Sequence, residues 1–228
     1  MTSRNPRPRY ALPLSLLILI VAAALLSPSY PADSLQAAAA GLDARVRSFL
    51  VGHRDQWRDE NVTEADGMFL YEFVLQHKYT KALEIGTSTG HSGIWIAWAL
   101  SKTGGKLVTI EIDAVRHAKA VENFKAAGLD AYVDARLADA HEEVPLLKGP
   151  FDFVFVDADK EWYQNYFKML LPKLEPGGCF AAHNVLNLEF MHGIKEFLDY
   201  ARSRPEIETT VERTSSSGIS LSFKKYPI

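Results

Sequence analysis

One stretch limits what this chain can fold into more than any other: KALEIGTSTGHSG, from Lys81 to Gly93. Lys81 to Ile85 is a short apolar run carrying one acid, Glu84. Gly86 and Gly90 then frame a turn of small hydroxyl residues, and an apolar segment from His91 to Leu100 follows at once. The pattern is strand, glycine turn, helix. Glycine lets the backbone approach a ligand and take φ > 0 without steric cost, and the first N–H groups of the next helix offer donors to a polar group bound there. The order E-x-G-x-x-x-G lacks the second glycine of GxGxxG. It argues against a dinucleotide turn, in which a pyrophosphate sits on the helix N-terminus and a nearby acid would repel it.

The rest of the chain reads as scaffold for that turn. Helical periodicity over Ser34 to Asp55 and again from Thr63, which opens the capping sequence T-E-A-D, places two helices before the first strand. Strands are then expected at Lys106–Ile112, Ala131–Leu137, Phe151–Val156 and Cys179–Ala182, alternating with helices at 114–127, 141–147, 162–171 and 188–202. Such βα alternation means a mainly parallel sheet with helices on both faces. Two last strands, Ile207–Glu212 and Gly218–Phe223, flank the loop TSSSG and are expected as an antiparallel hairpin. With 25 basic against 28 acidic side chains, the net charge of −3 leaves no excess to neutralise phosphates, so no nucleic-acid partner is expected. The lone Cys179 rules out an internal disulfide framework and a cysteine zinc site, and its apolar strand suits a buried thiol.

The N-terminus has a different character. Arg4, Arg7 and Arg9 precede an apolar run from Ala11 to Leu26, which is sixteen residues long and shorter than the roughly 20 of a membrane span. Residues 1–32 therefore read as a signal peptide or a membrane anchor, leaving 33–60 as an accessory N-terminal helix and 61–228 as the α/β domain. Location is accordingly expected to be membrane-anchored or exported through residues 11–26.

Polar residues gather at the expected C-terminal ends of the strands, where open α/β sheets bind ligands. Glu111 ends the second strand in VTIEID, placed to accept hydrogen bonds from two ribose hydroxyls. Asp139, in LADAHEE, suits either an adenine contact or the N-cap of the next helix. Strand four, FDFVFVDADKEWY, delivers Asp157, Asp159 and Lys160 together, and the fifth strand ends in His183 and Asn184.

Taken with LEPGG and HNV, the stretches ALEIGTSTGHS, VTIEID and FVFVDADKEWY resemble the class I S-adenosylmethionine (SAM) O-methyltransferases of the catechol and caffeoyl-CoA type, from about Asn61 to the C-terminus. The resemblance implies a Rossmann-like seven-stranded sheet and methyl transfer from SAM to a hydroxyl of a small, catechol-like acceptor. It implies cofactor contacts from Val62, Glu84, Gly86, Ser88, Ser92, Glu111, Asp139 and Asp157, with the Glu84 carboxylate facing the cationic amino acid end of SAM. It further implies a divalent ion held by Asp157, the residue at 183 and Asn184, chelating two adjacent acceptor oxygens, with Lys160 as the base. At 183 the family has aspartate and this chain has His183. An imidazole in that place favours Mn²⁺ or Zn²⁺ over Mg²⁺ if the ion is kept. If it is lost, His183 becomes a polar strand-end residue and Lys160 an ion-paired lysine, and the chain reads as a SAM- or substrate-binding protein without metal-dependent catalysis. The partners expected are the acceptor, the membrane if the leader is retained, and a second copy of the chain.

Overall fold

The computed structural model describes residues 32–58, 60–186, 192–213 and 215–226. The apolar run at 11–26 and the start of the helix expected from Leu188 lie outside the described residues. Two compact units are distinguished, Met1–Gly41 and Leu42–Ile228. Of the first, residues 32–41 are described, as helix. No helix among the described residues is long and apolar enough to cross a membrane.

Helix α1 runs Ala32–Gly52 and α2 Glu64–His77, followed by β1 Lys81–Ile85, α3 His91–Thr103, β2 Lys106–Glu111, α4 Ala114–Ala127, β3 Val133–Leu137 and α5 Ala140–Leu146. The second half comprises β4 Phe151–Val156, α6 Tyr163–Leu170, β5 Leu174–His183, α7 His192–Ser203, β6 Ile207–Glu212 and β7 Ile219–Lys224. The seven strands lie in the order β3-β2-β1-β4-β5-β7-β6. Pairings are parallel from β3 to β5 and antiparallel from β5 through β7 to β6, which gives the expected hairpin. Strand five starts earlier than its apolar core suggests, because LEPGG joins it across a register break against Phe151 and Phe153.

Strand alternation explains both cores. Ala82, Phe153, Phe155, Cys179 and Ala181 point to the face covered by the N-terminal helices, whereas Leu83, Ile85, Val154, Val156, Phe180 and Ala182 meet α6 and α7. The chain builds outward from β1 to β3 and then returns to β4, so β1 and β4 are neighbours at the switch point where open sheets bind ligands. Register then places the polar residues. Glu84 pairs with Phe155 and Phe155 with Ala181. Two residues further along, Asp157 and His183 emerge side by side, on the face covered by α2.

Candidate active site

The turn after β1 is held by its neighbours. Gly86 takes φ +95, and a Cβ there would stand 2.7 Å from the Asp157 carbonyl oxygen, so glycine is required where this turn crosses the end of β4. Ser88 adopts φ +47, and its N–H donates to Glu111 Oε2 at 2.7 Å. Asp113 N–H donates to the other oxygen, Oε1, at 3.0 Å. The two carboxylate oxygens are thereby oriented, each with a lone pair to spare. Glu111, Gly86 and Ser88 line a cleft of about 720 Å³ together with Ile112, Asp139, Asp157, Lys160, His183 and Asn184. Asp139 caps α5, its Oδ1 accepting from His141 N–H at 2.8 Å, and it also lines the cleft.

Beneath the turn lies a different carboxyl. Glu84 is fully buried, accepts from the Thr109 hydroxyl at 2.6 Å through Oε2, and meets no partner for Oε1 among the described residues. Burial pushes this carboxyl up to about 7; bonds from Ser92 and Thr109 oppose the rise, and the charges of Asp157 and Glu111 add to it.

At the ends of β4 and β5 the charged groups form a chain. Asp66, on the first turn of α2, accepts from the Thr63 hydroxyl at 2.8 Å and lies 3.2 Å from His183 Nε2, both contacts on Oδ2. His183 Nδ1 stands 3.0 Å from Asp157 Oδ2, an ion-pair contact that lies off the straight line of a hydrogen bond. The ammonium of Lys160 donates to Asp157 Oδ1 at 2.9 Å. Burial alone would disfavour a charged His183, but the two carboxylates outweigh it and lift the imidazole to about 9. Burial works against the Asp66 charge too; bonds from His183, Ser215 and Thr63 prevail and hold its carboxyl below the usual range.

A family model described as O-methyltransferase matches residues 42–195. The chain belongs to the O-methyltransferase family. A catechol O-methyltransferase from Niastella koreensis is 38% identical over 130 residues, covering 55% of this chain and 58% of that protein. A caffeoyl-CoA O-methyltransferase from Medicago sativa is 30% identical over 139 residues, covering 57% of this chain and 55% of that protein. The matched stretch thus spans little more than half of either relative. Among solved structures, an O-methyltransferase from Bacillus cereus in complex with S-adenosylhomocysteine (SAH) superposes with a TM-score of 0.70 at 28% identity, covering 80% of this chain and 91% of that one.

Within this family member, the residues expected to contact cofactor divide in two. Gly86, Ser88, Glu111, Asp139 and Asp157 line the cleft, while Val62, Glu84 and Ser92 are buried and do not border it. Glu84 therefore faces Thr109 and Ser92 rather than open space, because strand alternation turns it inward beneath α3. The three residues expected to hold metal do converge, yet the donor set does not fit a divalent ion. Both oxygens of Asp157 already meet cationic groups, both nitrogens of His183 face carboxylates, and no group of three or more His, Cys, Asp and Glu side chains among the described residues is arranged to hold a metal.

Trp57 stacks on His91 at 4.4 Å beside a separate cavity of about 170 Å³, and Tyr163 is buried with its hydroxyl donating to the His183 carbonyl at 3.3 Å. Leu186 packs against Gly218, and Met191 lies outside the described residues. Trp162 stacks on His141 at 3.5 Å, and His141 Nε2 meets Asp159 Oδ2 at 2.9 Å at the cleft wall. That cluster escaped the sequence reading, as did Asp66, whose place in T-E-A-D is fully explained by a capping box. The available signal for Asp66 was the unusual basic residue at 183, which needs a buried counter-charge once it leaves water.

Proposed function

We propose that this chain transfers the methyl group of SAM to a hydroxyl of a small, catechol-like acceptor. The observation that carries the reading is Glu111: a carboxylate with both oxygens oriented by backbone N–H groups, at the end of β2, bordering a cleft at the switch point of the sheet. That arrangement suits a ribose, whose two adjacent hydroxyls would each donate to one oxygen. Ile112, exposed just beyond it, offers an apolar surface for adenine, and Asp139 a polar edge. When bound, SAM supplies a methyl group already activated by its sulfonium charge, so the protein has to align the acceptor and take its proton. Lys160 and Asp157 border the same cleft. The Lys160 ammonium orients the acceptor oxygen; as the O–C bond forms, the S–C bond to the methyl breaks and SAH is left, and the acceptor's proton passes to the Asp157 carboxylate, the member of the pair with a lone pair to take it.

The names of the relatives support a hydroxylated acceptor, as does the family to which the chain belongs. The second reading, a SAM-binding protein without catalysis, draws on the ion-paired state of Lys160 and predicts binding without turnover. Calorimetric titration with SAH tests the shared part. Glu111→Ala should weaken SAH by about 1.5 to 3 kcal/mol, the range for a charge-assisted hydrogen bond, while Glu111→Gln should lose less. Unchanged affinity in the alanine variant would show that the ribose does not bind there. For location, we propose attachment to or export across a membrane through residues 11–26, supported by the apolar run behind three arginines.

A further inference from the structure

A divalent ion in this family would, on the resemblance stated above, rest on Asp157, residue 183 and Asn184. In this chain the room is taken. Side-chain exposure is 1% for Asp66 and 5% for His183, and 8% for Asp157, so the three charges are settled against one another and not by water. Both imidazole nitrogens are already engaged, Nε2 facing Asp66 Oδ2 at 3.2 Å and Nδ1 facing Asp157 Oδ2 at 3.0 Å, so neither is turned to a position shared with an open set of oxygen donors. Ligand chemistry agrees, because Asp157 has no oxygen without a cationic neighbour and Mg²⁺ prefers a shell of oxygens.

We propose that His183, held between Asp66 and Asp157, occupies the place of the divalent ion, so that the methyl transfer proposed above, on which this inference rests, proceeds without metal. Asp66 is the positioning residue of this arrangement: it comes from α2, outside the strand ends, and engages Nε2, the imidazole nitrogen that Asp157 does not meet. The consequence for substrate is a change in what the site demands. A chelating ion grips two adjacent oxygens, while a single ammonium at Lys160 grips one. An acceptor with one hydroxyl should therefore serve as well as a catechol.

Mn²⁺ is the probe for the test. The full chain, with and without SAH, is titrated into Mn²⁺ and the free-ion signal followed by electron paramagnetic resonance. The signal should be undiminished at millimolar protein. His183→Asp, which leaves three carboxylates facing one another, should bind Mn²⁺ at least tenfold more tightly than the wild type. Stoichiometric uptake of Mn²⁺ by the wild type overturns the proposal. The wild-type measurements stand even if the variant fails to fold. Failure of SAH to bind would count against the methyltransferase reading alone, since the Mn²⁺ titration reads the strand-end site directly.

Discussion

Replacing His183 by glutamine removes the positive charge that separates Asp66 from Asp157, and the cost follows from the linkage between protonation and folding. The imidazole ordinarily titrates at 6.5 and in the folded chain at about 9. Its folded pKa is raised, so the stability it contributes is fully present below pH 6.5 and is lost as pH rises through 9. The difference of about 2.5 units corresponds to roughly 3 kcal/mol, at 1.36 kcal/mol per unit. Side chains this buried need little discount for solvent screening. Urea unfolding at a series of pH values is the assay. The wild type should exceed His183→Gln by roughly 3 kcal/mol at pH 6, and the gap should close to near zero by pH 10. A gap that is the same at both ends would refute a protonated His183, whatever its size.

Glu84 should show a related dependence. Its carboxyl is raised from 4.5 to about 7, so its contribution to native stability is fully present below pH 4.5 and falls away as pH climbs through 7, by roughly 3 kcal/mol in all. Glu84→Gln, which keeps the shape and cannot ionise, should flatten that fall and unfold at higher urea than the wild type at pH 8. A chain beginning at Ser34 should fold and bind SAH as the full chain does, because the cleft and both cores are built from residues beyond 41. Loss of the unfolding transition on that truncation would mean that the leader packs on the domain.

Much of the fold was legible because local and long-range signals agree. Strand β1, strand β4 and helix α4 have the bounds their patterns suggest, since each is a run of one periodicity closed by glycine or an acid. The Glu111 and Asp139 positions were legible for the same reason: a strand end is visible in sequence and its place in the cleft follows from topology. What could not be read is whatever depends on side-chain direction. Whether Glu84 faced the cleft or the core turned on strand parity relative to a helix layer that one sequence does not reveal. The partnership of Asp66 with His183 joins residues 117 apart in sequence, and no local pattern reports it. Without that contact His183 read as a weakened metal ligand; with it, the same residue is a buried imidazole between two acids.

The most direct measurement is transfer of a labelled methyl group from SAM to a panel of mono- and dihydroxylated aromatic acceptors, run with and without EDTA. Label should appear in the acceptor, with SAH released in equal amount, at the same rate under both conditions. Label that stays in SAM across the whole panel, or transfer that stops when EDTA is added, would contradict methyl transfer without metal.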